Sequence, residues 1–253
     1  MKLFFREAGQ GTPLIILHGL FGSSDNWYSL SKVFAQNYRV FTIDQRNHGQ
    51  SPHSSEHDYK LLTEDLEEFV KEHQLTKPIV LGHSMGGKTA MNFALKDPSS
   101  IGKLIVVDIM PKVNVLRHDH ILEGMKSLDL ASLKSRGDAE KVLSKQIPNV
   151  DELQFIMKNL ARNEQQGFEW KINLDALDNN IDKMGEGLQY EGQYTGPTLF
   201  IKGAKSHYYK PGDEVAVAKY FPNAKWETMD TGHWVQAEKP KEFADIVLKW
   251  LNA

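Results

Sequence analysis

One serine of the chain stands in a setting that favours nucleophilic chemistry. Ser84 is the central residue of a G-x-S-x-G pattern at positions 82–86, directly after the apolar run at 79–81. In this pattern the serine occupies a sharp turn between a strand and a helix, and its hydroxyl projects above the sheet. Glycine is favoured on either side because a Cβ would strike the neighbouring backbone where it is pinched. We therefore predict that Ser84 is a nucleophile.

A serine nucleophile needs a general base, and the sequence offers His233. This residue lies in a Thr-Gly-His-Trp loop just after the last predicted strand, at 225–229. That position matches the chain order serine, acid, histidine of hydrolases with a G-x-S-x-G turn. Only a neutral imidazole accepts the serine proton, so activity is expected to rise with pH between acid and neutral.

Two carboxylates are candidates for the group that orients His233. Asp108 follows directly on the strand at 103–107, whereas the loop at 202–209, after the strand at 198–201, contains no carboxylate. Asp213 is the nearest acid beyond that loop, and it stands where a helix N-cap is expected. Triads are defined by geometry, so an acid one strand closer to Ser84 suffices. We predict Asp108, with Asp213 as the alternative.

Backbone amides are expected to bind the oxyanion. A His-Gly-Leu-Phe-Gly loop at 18–22 follows an early buried strand, and such loops supply one donor while the residue after the nucleophile supplies the other. The predicted donors are the N–H groups of Leu20 and Met85, the second at the N-terminus of a helix. The alternative for 18–22 is a plain glycine turn between strand and helix.

The predicted elements alternate between strand and helix up to Asp108, which indicates an α/β fold with a mostly parallel central sheet flanked by helices. Residues 111–194 instead show recurring amphipathic helical segments and no strand pattern. We predict an α/β-hydrolase core formed by residues 1–110 and 195–253. The helical segment at 111–194 is expected to be a lid, or cap, inserted after the sixth strand and lying over the ligand-binding edge of the sheet.

Polar residues crowd the loop at 44–51, which reads Asp-Gln-Arg-Asn-His-Gly-Gln-Ser. Buried charges normally occur in pairs. We expect Asp44 and Arg46 to pair with each other and hold this turn, without a part in the chemistry.

The composition excludes several classes of protein. The 253 residues are 40% hydrophobic and 25% charged, with a formal charge of −3 and no cysteine. The absence of a clustered basic stripe argues against nucleic acid as a partner. No thiolate is present to act as nucleophile or metal ligand. The N-terminal residues meet charge too early for a signal peptide, and no apolar run reaches the roughly 20 residues of a membrane span. We expect a cytoplasmic protein that needs no metal or cofactor.

Taken together, several segments resemble the small α/β-hydrolase esterases of the YbfF type. These are His18-Gly19, the 44–49 loop, Gly82 to Lys88, Val107-Asp108-Ile109 and Gly232-His233-Trp234. The resemblance spans nearly the whole chain and is loosest in the 111–194 insert. It implies a serine hydrolase acting on esters, with coenzyme A thioesters as further candidates. It also implies that Asp108 is the triad acid.

Three functions follow from these residues. The first is hydrolysis of carboxylic esters with small to medium acyl groups through an acyl-enzyme. The alternatives are an acyl-CoA thioesterase with the same triad, and a weakly active ligand-binding protein of this fold. The expected partner is a small ester or thioester, and the expected state is a monomer or weak homodimer. The residues predicted to contact the substrate are Phe21, Arg117, His118 and Trp234, with Lys112 as a further cation and Phe155, Phe168 and Trp170 as aromatic lining.

Overall fold

The structure is a computed structural model, and it describes residues 1–114 and 118–253. Nine strands occur in these residues, seven in one sheet and two in a hairpin. The strands are β1 (Phe5–Ala8), β2 (Pro13–Leu17), β3 (Arg39–Ile43), β4 (Ile79–His83), β5 (Lys103–Val107), β6 (Leu160–Arg162), β7 (Phe168–Trp170), β8 (Thr198–Gly203) and β9 (Ala224–Met229).

The large sheet has the order β1-β3-β2-β4-β5-β8-β9. Only β1 is antiparallel to its neighbour, and the other pairs are parallel. The central strands are apolar without interruption, and every residue of β4 is buried. A strand reads this way when helices cover both faces of its sheet. The predicted α/β fold with a mostly parallel sheet is confirmed.

Helices form layers on both faces of the sheet. The helical residues Phe93 and Phe69 belong to one hydrophobic cluster, whereas the helical residues Phe34 and Phe243 belong to the cluster on the other face. No helix in the described ranges is long and apolar enough to cross a membrane. The helices are α1 (Tyr28–Phe34), α2 (Tyr59–Glu72), α3 (Met85–Lys96), α4 (Asp119–Lys126), α5 (Arg136–Leu143), α6 (Val150–Met157), α7 (Leu174–Asn179), α8 (Ile181–Gly185), α9 (Asp213–Ala218), α10 (Val235–Glu238) and α11 (Pro240–Leu251).

The segment between β5 and β8, residues 111–194, is called the insert below. It follows the fifth strand in chain order, not the sixth as predicted. It carries α4 to α8 and also the β6–β7 hairpin, although the sequence predicted no strand there. Each hairpin strand has only three residues, too few for an alternating pattern to show. The insert has a hydrophobic cluster of its own, which also takes in Phe21 of the core.

Hydrogen bonds tie the C-terminal part of the insert to the core. Core side chains donate to its backbone and insert amides donate to the core, so both sides contribute. The bonds run from Tyr59 Oη to Met184 O (2.9 Å), from Lys88 Nζ to Glu186 O, and from Asn180 Nδ2 to Ser55 O (2.9 Å).

Candidate active site

Ser84 sits at the turn between β4 and α3 with a strained backbone. Its φ of 52° and ψ of −118° lie in a region that residues with a side chain rarely adopt. The turn is tight enough that a Cβ on Gly82 would overlap Gly86 O, and one on Gly86 would lie 2.6 Å from Leu17 O. The glycines of the G-x-S-x-G pattern are therefore required sterically, and the strained turn lifts Ser84 above the carboxyl edge of the sheet.

His233 and Asp108 meet beside this turn. The Nδ1 atom of His233 lies 2.7 Å from Oδ2 of Asp108, and the carboxylate is fully buried while the imidazole is 21% exposed. With Nδ1 bonded to Asp108, Nε2 is the nitrogen left to exchange a proton with a substrate or a nucleophile. In the parts of the chain described, the Ser84 hydroxyl donates no hydrogen bond, and it lines the same pocket as His233.

Two further groups hold the Asp108 carboxylate. Gly203 N–H donates to Oδ1 at 2.9 Å, and the Ser206 hydroxyl donates to Oδ2. Ser206 lies in the loop after β8, which contains no carboxylate. This loop therefore does not supply the acid itself but a hydrogen-bond donor to Asp108. Asp213, the alternative acid, is engaged elsewhere: its carboxylate accepts from Lys112 Nζ at 2.5 Å and from Lys210 N at 2.7 Å.

Two rings pack against the imidazole of His233. The Tyr208 ring stacks on it at 4.3 Å with an interplanar angle of 29°, and the His83 ring lies 4.7 Å away. His83 Nε2 also lies 2.8 Å from the backbone oxygen of His233. Burial holds the pKa of His83 well below its usual range, so His83 is neutral and donates this bond from Nε2. These contacts restrict the ring of His233 to one orientation.

The two amides predicted to form the oxyanion hole are found near Ser84. Met85 is the first residue of α3, so its N–H has no acceptor within the helix. Leu20 and Ser84 line the same pocket. Within the described residues, neither the Leu20 nor the Met85 N–H donates to another protein group. Both N–H groups are therefore available to an acyl oxygen held near Ser84.

The polar loop at 44–51 has partners other than those predicted. Arg46 does not pair with Asp44; it forms a two-pronged ion pair with Asp65 of α2, at 2.6 and 3.0 Å. Asp44 instead accepts from the backbone amides of Ser24 (2.6 Å) and Gln50 (2.9 Å). The predicted pairing of Asp44 with Arg46 was wrong because Asp65 lies far from Arg46 in the sequence and meets it only in the folded chain. Both charged residues still serve to hold the loop.

The cavity at Ser84 is small, with a volume of about 30 Å³. Ligand sites for small organic molecules are typically at least roughly 300 Å³, so this one is nearly closed. The insert contributes four of its lining residues. The lining consists of Gly19, Leu20, Phe21, His83, Ser84, His118, Ile121, Glu152, Phe155, His233 and Trp234.

The predicted substrate-contacting residues fall into three groups. Phe21, His118 and Trp234 line the cavity, Arg117 lies outside the described residues, and Lys112 is paired with Asp213. His118 packs edge-on against Phe21, with ring centroids 5.7 Å apart. Burial, together with nearby His233, lowers the pKa of His118 to about 4, so this side chain is uncharged at neutral pH.

Sequence reasoning missed several residues of the site. Ser206 and Tyr208 escaped notice because the search of their loop was for a carboxylate only. Ile121 and Glu152 of the insert line the cavity, and their sequence context carries no pattern that distinguishes them from ordinary helix residues. Within residues 1–114 and 118–253, no group of three or more histidine, aspartate or glutamate side chains is placed to hold a metal ion.

Comparison with known proteins identifies relatives over nearly the full length. Residues 12–133 match the family model described as the alpha/beta hydrolase fold. The "sn-1-specific diacylglycerol lipase ABHD11" of Mus musculus is 39% identical over 249 residues, covering 94% of this chain and 80% of that protein. "Esterase YbfF" of Escherichia coli is 29% identical over 243 residues, covering 95% of this chain and 93% of that protein.

A solved structure agrees with these relatives. The protein titled "Marine microorganism esterase" superposes with a TM-score of 0.96 at 40% identity, covering 98% of this chain and 99% of that one. Sequence and fold thus point to the same group of enzymes. The chain belongs to the α/β-hydrolase family, and it is a carboxylic-ester hydrolase.

Proposed function

We propose that this enzyme cleaves esters through a triad of Ser84, His233 and Asp108 and by way of an acyl-enzyme. The observation that carries the proposal is the 2.7 Å contact of His233 Nδ1 with the buried Asp108 carboxylate, beside a serine on a strained turn. An acceptor carboxylate at Nδ1 keeps the proton there and leaves the Nε2 lone pair free to act as general base.

The reaction proceeds in two halves. In the first, Ser84 Oγ attacks the acyl carbon while its proton passes to Nε2 of His233. The oxyanion is bound by the N–H groups of Leu20 and Met85, and the alcohol leaves with the proton from His233. In the second half, His233 deprotonates a water that attacks the acyl-enzyme, and the acid is released. The loss of one oxyanion donor in such a site lowers kcat by about 10²- to 10³-fold.

The cavity favours uncharged esters. Its lining is mostly apolar, and the ionisable insert residues that reach it are His118, uncharged at neutral pH, and Glu152, a carboxylate. Lys112 and Arg117 were the cations predicted to bind an anionic substrate, and of these two the structure describes Lys112. Its ammonium is already paired with Asp213. Glu152, whose Oε2 lies 2.9 Å from His120 Nε2, adds no positive charge that would attract an anionic substrate. We therefore place a carboxylic ester with an uncharged acyl group ahead of a coenzyme A thioester.

The insert acts in this proposal as a lid. A cavity of about 30 Å³ does not admit even a short acyl chain, and residues 118, 121, 152 and 155 form its outer wall. Substrate entry therefore requires these side chains, or the helices α4 and α6 that carry them, to move away from Ser84. Closure over the bound ester then excludes bulk water from the oxyanion hole.

The experiment compares kcat/KM for aryl esters and coenzyme A thioesters of matched acyl length. Ser84→Ala is the blank, and Ser99→Ala, at an exposed serine remote from the cavity, is the matched control. We expect esters to be preferred, Ser84→Ala to be inactive and Ser99→Ala to match the wild type. Mass spectrometry of the acylated protein should place the acyl group on Ser84. Full activity of Ser84→Ala would refute the mechanism, and a preference for thioesters would refute the substrate class.

Two other expectations stay predictions. A monomer or weak homodimer is tested by light scattering across a hundredfold range of protein concentration, in which a mass of one chain at all concentrations would rule out the dimer. A cytoplasmic location is tested by fractionating cells that express the chain.

A further inference from the structure

The turn that carries Leu20 has a strained backbone at the following residue, Phe21. Gly22 N–H donates to Gly19 O at 2.9 Å, which closes a four-residue turn with Leu20 and Phe21 in the centre. Phe21 has a φ of 60°, in the left-handed region that favours glycine, and its side chain is buried. Such a backbone persists only where its surroundings hold it. Leu20 is the preceding residue in the same turn, so the direction of its N–H depends on what holds Phe21.

His48 holds the turn from the side of the core. Its Nε2 lies 3.2 Å from Phe21 N, and its Nδ1 lies 2.8 Å from Arg46 O. Since a backbone carbonyl accepts only, Nδ1 carries the proton and Nε2 is the acceptor for the Phe21 N–H. The ring is completely buried, and burial keeps the pKa of His48 well below its usual range. His48 therefore keeps its acceptor lone pair throughout the neutral range.

Asn159 holds the same residue from the side of the insert. Its Nδ2 donates to Phe21 O at 2.8 Å, and its side chain is buried. The backbone of Asn159 is fixed as well, because its N–H donates to Ile156 O (2.9 Å) and its carbonyl accepts from Lys171 N (2.8 Å). The N–H and the C=O of one strained residue thus have separate partners, one in the core and one in the insert.

We propose that His48 and Asn159 are positioning residues of the oxyanion hole, and that Asn159 makes the orientation of the Leu20 N–H depend on the placement of the insert. The inference rests on the proposed function, in which Leu20 donates to the oxyanion. It goes further by assigning to an insert residue an effect on the rate of the chemical step. When the insert lies against the core, Asn159 completes the turn; when the insert moves away, Phe21 O loses that donor.

The test replaces Asn159 by leucine, which keeps the branching at Cγ and removes the donor. Asn180→Leu is the matched control, since Asn180 also joins the insert to the core, but at Ser55 O and not at the Leu20–Phe21 turn. The readouts are kcat, KM and the inhibition constant of an aryl trifluoromethyl ketone, which forms a tetrahedral adduct on Ser84. For Asn159→Leu we expect kcat to fall about tenfold or more, KM to change less than about threefold, and the ketone to bind weaker by the same factor as kcat/KM.

Asn180→Leu should lower the melting temperature while kcat and ketone affinity stay within about threefold of wild type. The inference is overturned if Asn159→Leu matches Asn180→Leu in kcat and ketone affinity. If the wild type itself shows no Ser84-dependent turnover, the proposed function has failed, which is a separate result.

A second pair of variants tests the turn from the core and does not depend on the folding of Asn159→Leu. His48→Gln places an amide oxygen near the Nε2 position and keeps an acceptor, whereas His48→Phe keeps the ring and removes it. We expect His48→Phe to lose kcat about tenfold or more and His48→Gln to recover most of the loss. Equal kcat for the two variants would show that His48 acts by packing alone and would refute its positioning role.

Discussion

Replacing Asp108 by asparagine tests the proposed triad most directly, because the structure determines which way the new amide must point. Gly203 N–H donates to Oδ1 of Asp108 at 2.9 Å. In Asp108→Asn that position must remain an oxygen, since an amide nitrogen there would oppose the Gly203 donor. The NH₂ group therefore takes the Oδ2 position, 2.7 Å from Nδ1 of His233.

The amide reverses the tautomer of His233. An NH₂ group donates, so Nδ1 must accept and the imidazole proton moves to Nε2. A protonated Nε2 cannot take the proton of Ser84. His233 therefore stays in place but can no longer act as the proposed general base. In triads of this kind the same change lowers kcat by about 10⁴-fold, which corresponds to roughly 5 kcal/mol of barrier. The half-buried Ser206 hydroxyl also loses its acceptor.

The assay is the steady-state hydrolysis of an aryl ester at neutral pH, with thermal melting to show that the variant is folded. Asp213→Asn serves as the control, since Asp213 bonds Lys112 and the Lys210 amide, away from His233. We expect a kcat loss of about three to four orders of magnitude for Asp108→Asn and less than about threefold for Asp213→Asn. A loss of less than tenfold in a folded Asp108→Asn protein would refute the assignment of the acid.

Three further predictions concern the cavity, the insert and acid stability. Phe155→Ala, which opens the outer wall of the cavity, should raise kcat/KM for octanoyl relative to acetyl esters by about tenfold, and an unchanged ratio would place the acyl group elsewhere. Lys88→Met removes a buried ammonium that donates to insert carbonyls, so we expect a melting temperature about 2–8 °C lower, against no change for the exposed Lys71→Met. Burial lowers the pKa of His57 to about 3 and contributes most to a pKa of about 4 for His118, both below the unfolded value of 6.5. The unfolded state then binds more protons below pH 6.5, so stability should fall on acidification by up to about 1.4 kcal/mol per pH unit for each; a melting temperature constant from pH 6.5 to 5 would contradict this.

The sequence predicted most residues of the candidate site because short-range patterns encode their positions. Three nearby glycines indicate the tight turn that carries Ser84, because a side chain at their positions would clash. His233 follows the last strand, in the chain order typical of these hydrolases. Leu20, Phe21, His118 and Trp234, predicted from their neighbourhoods, line the cavity with them. The buried strands were readable because burial on both faces leaves runs of apolar residues.

Contacts between distant segments were not readable in this way. Arg46 pairs with Asp65 across 19 residues of sequence, and Ser206 reaches Asp108 across 98. Nothing local distinguishes such partners from their alternatives, which led to the wrong pairing of Asp44 with Arg46. The β6–β7 hairpin was not predicted for another reason: a strand of three residues has too few positions for an alternating pattern to show.

What the sequence by itself determined is the local framework of the candidate site: a serine on a strand–turn–helix junction, a histidine after the last strand and an α/β sheet that brings strand ends to one edge. Only the tertiary structure decided how the site is held and how open it is. It set Asn159 of the insert against Phe21, Ser206 against Asp108, and the insert helices over a cavity of about 30 Å³. The physical reason is that backbone geometry follows from neighbours in the chain, whereas the packing of an insert against a core depends on surfaces that only the folded chain brings together.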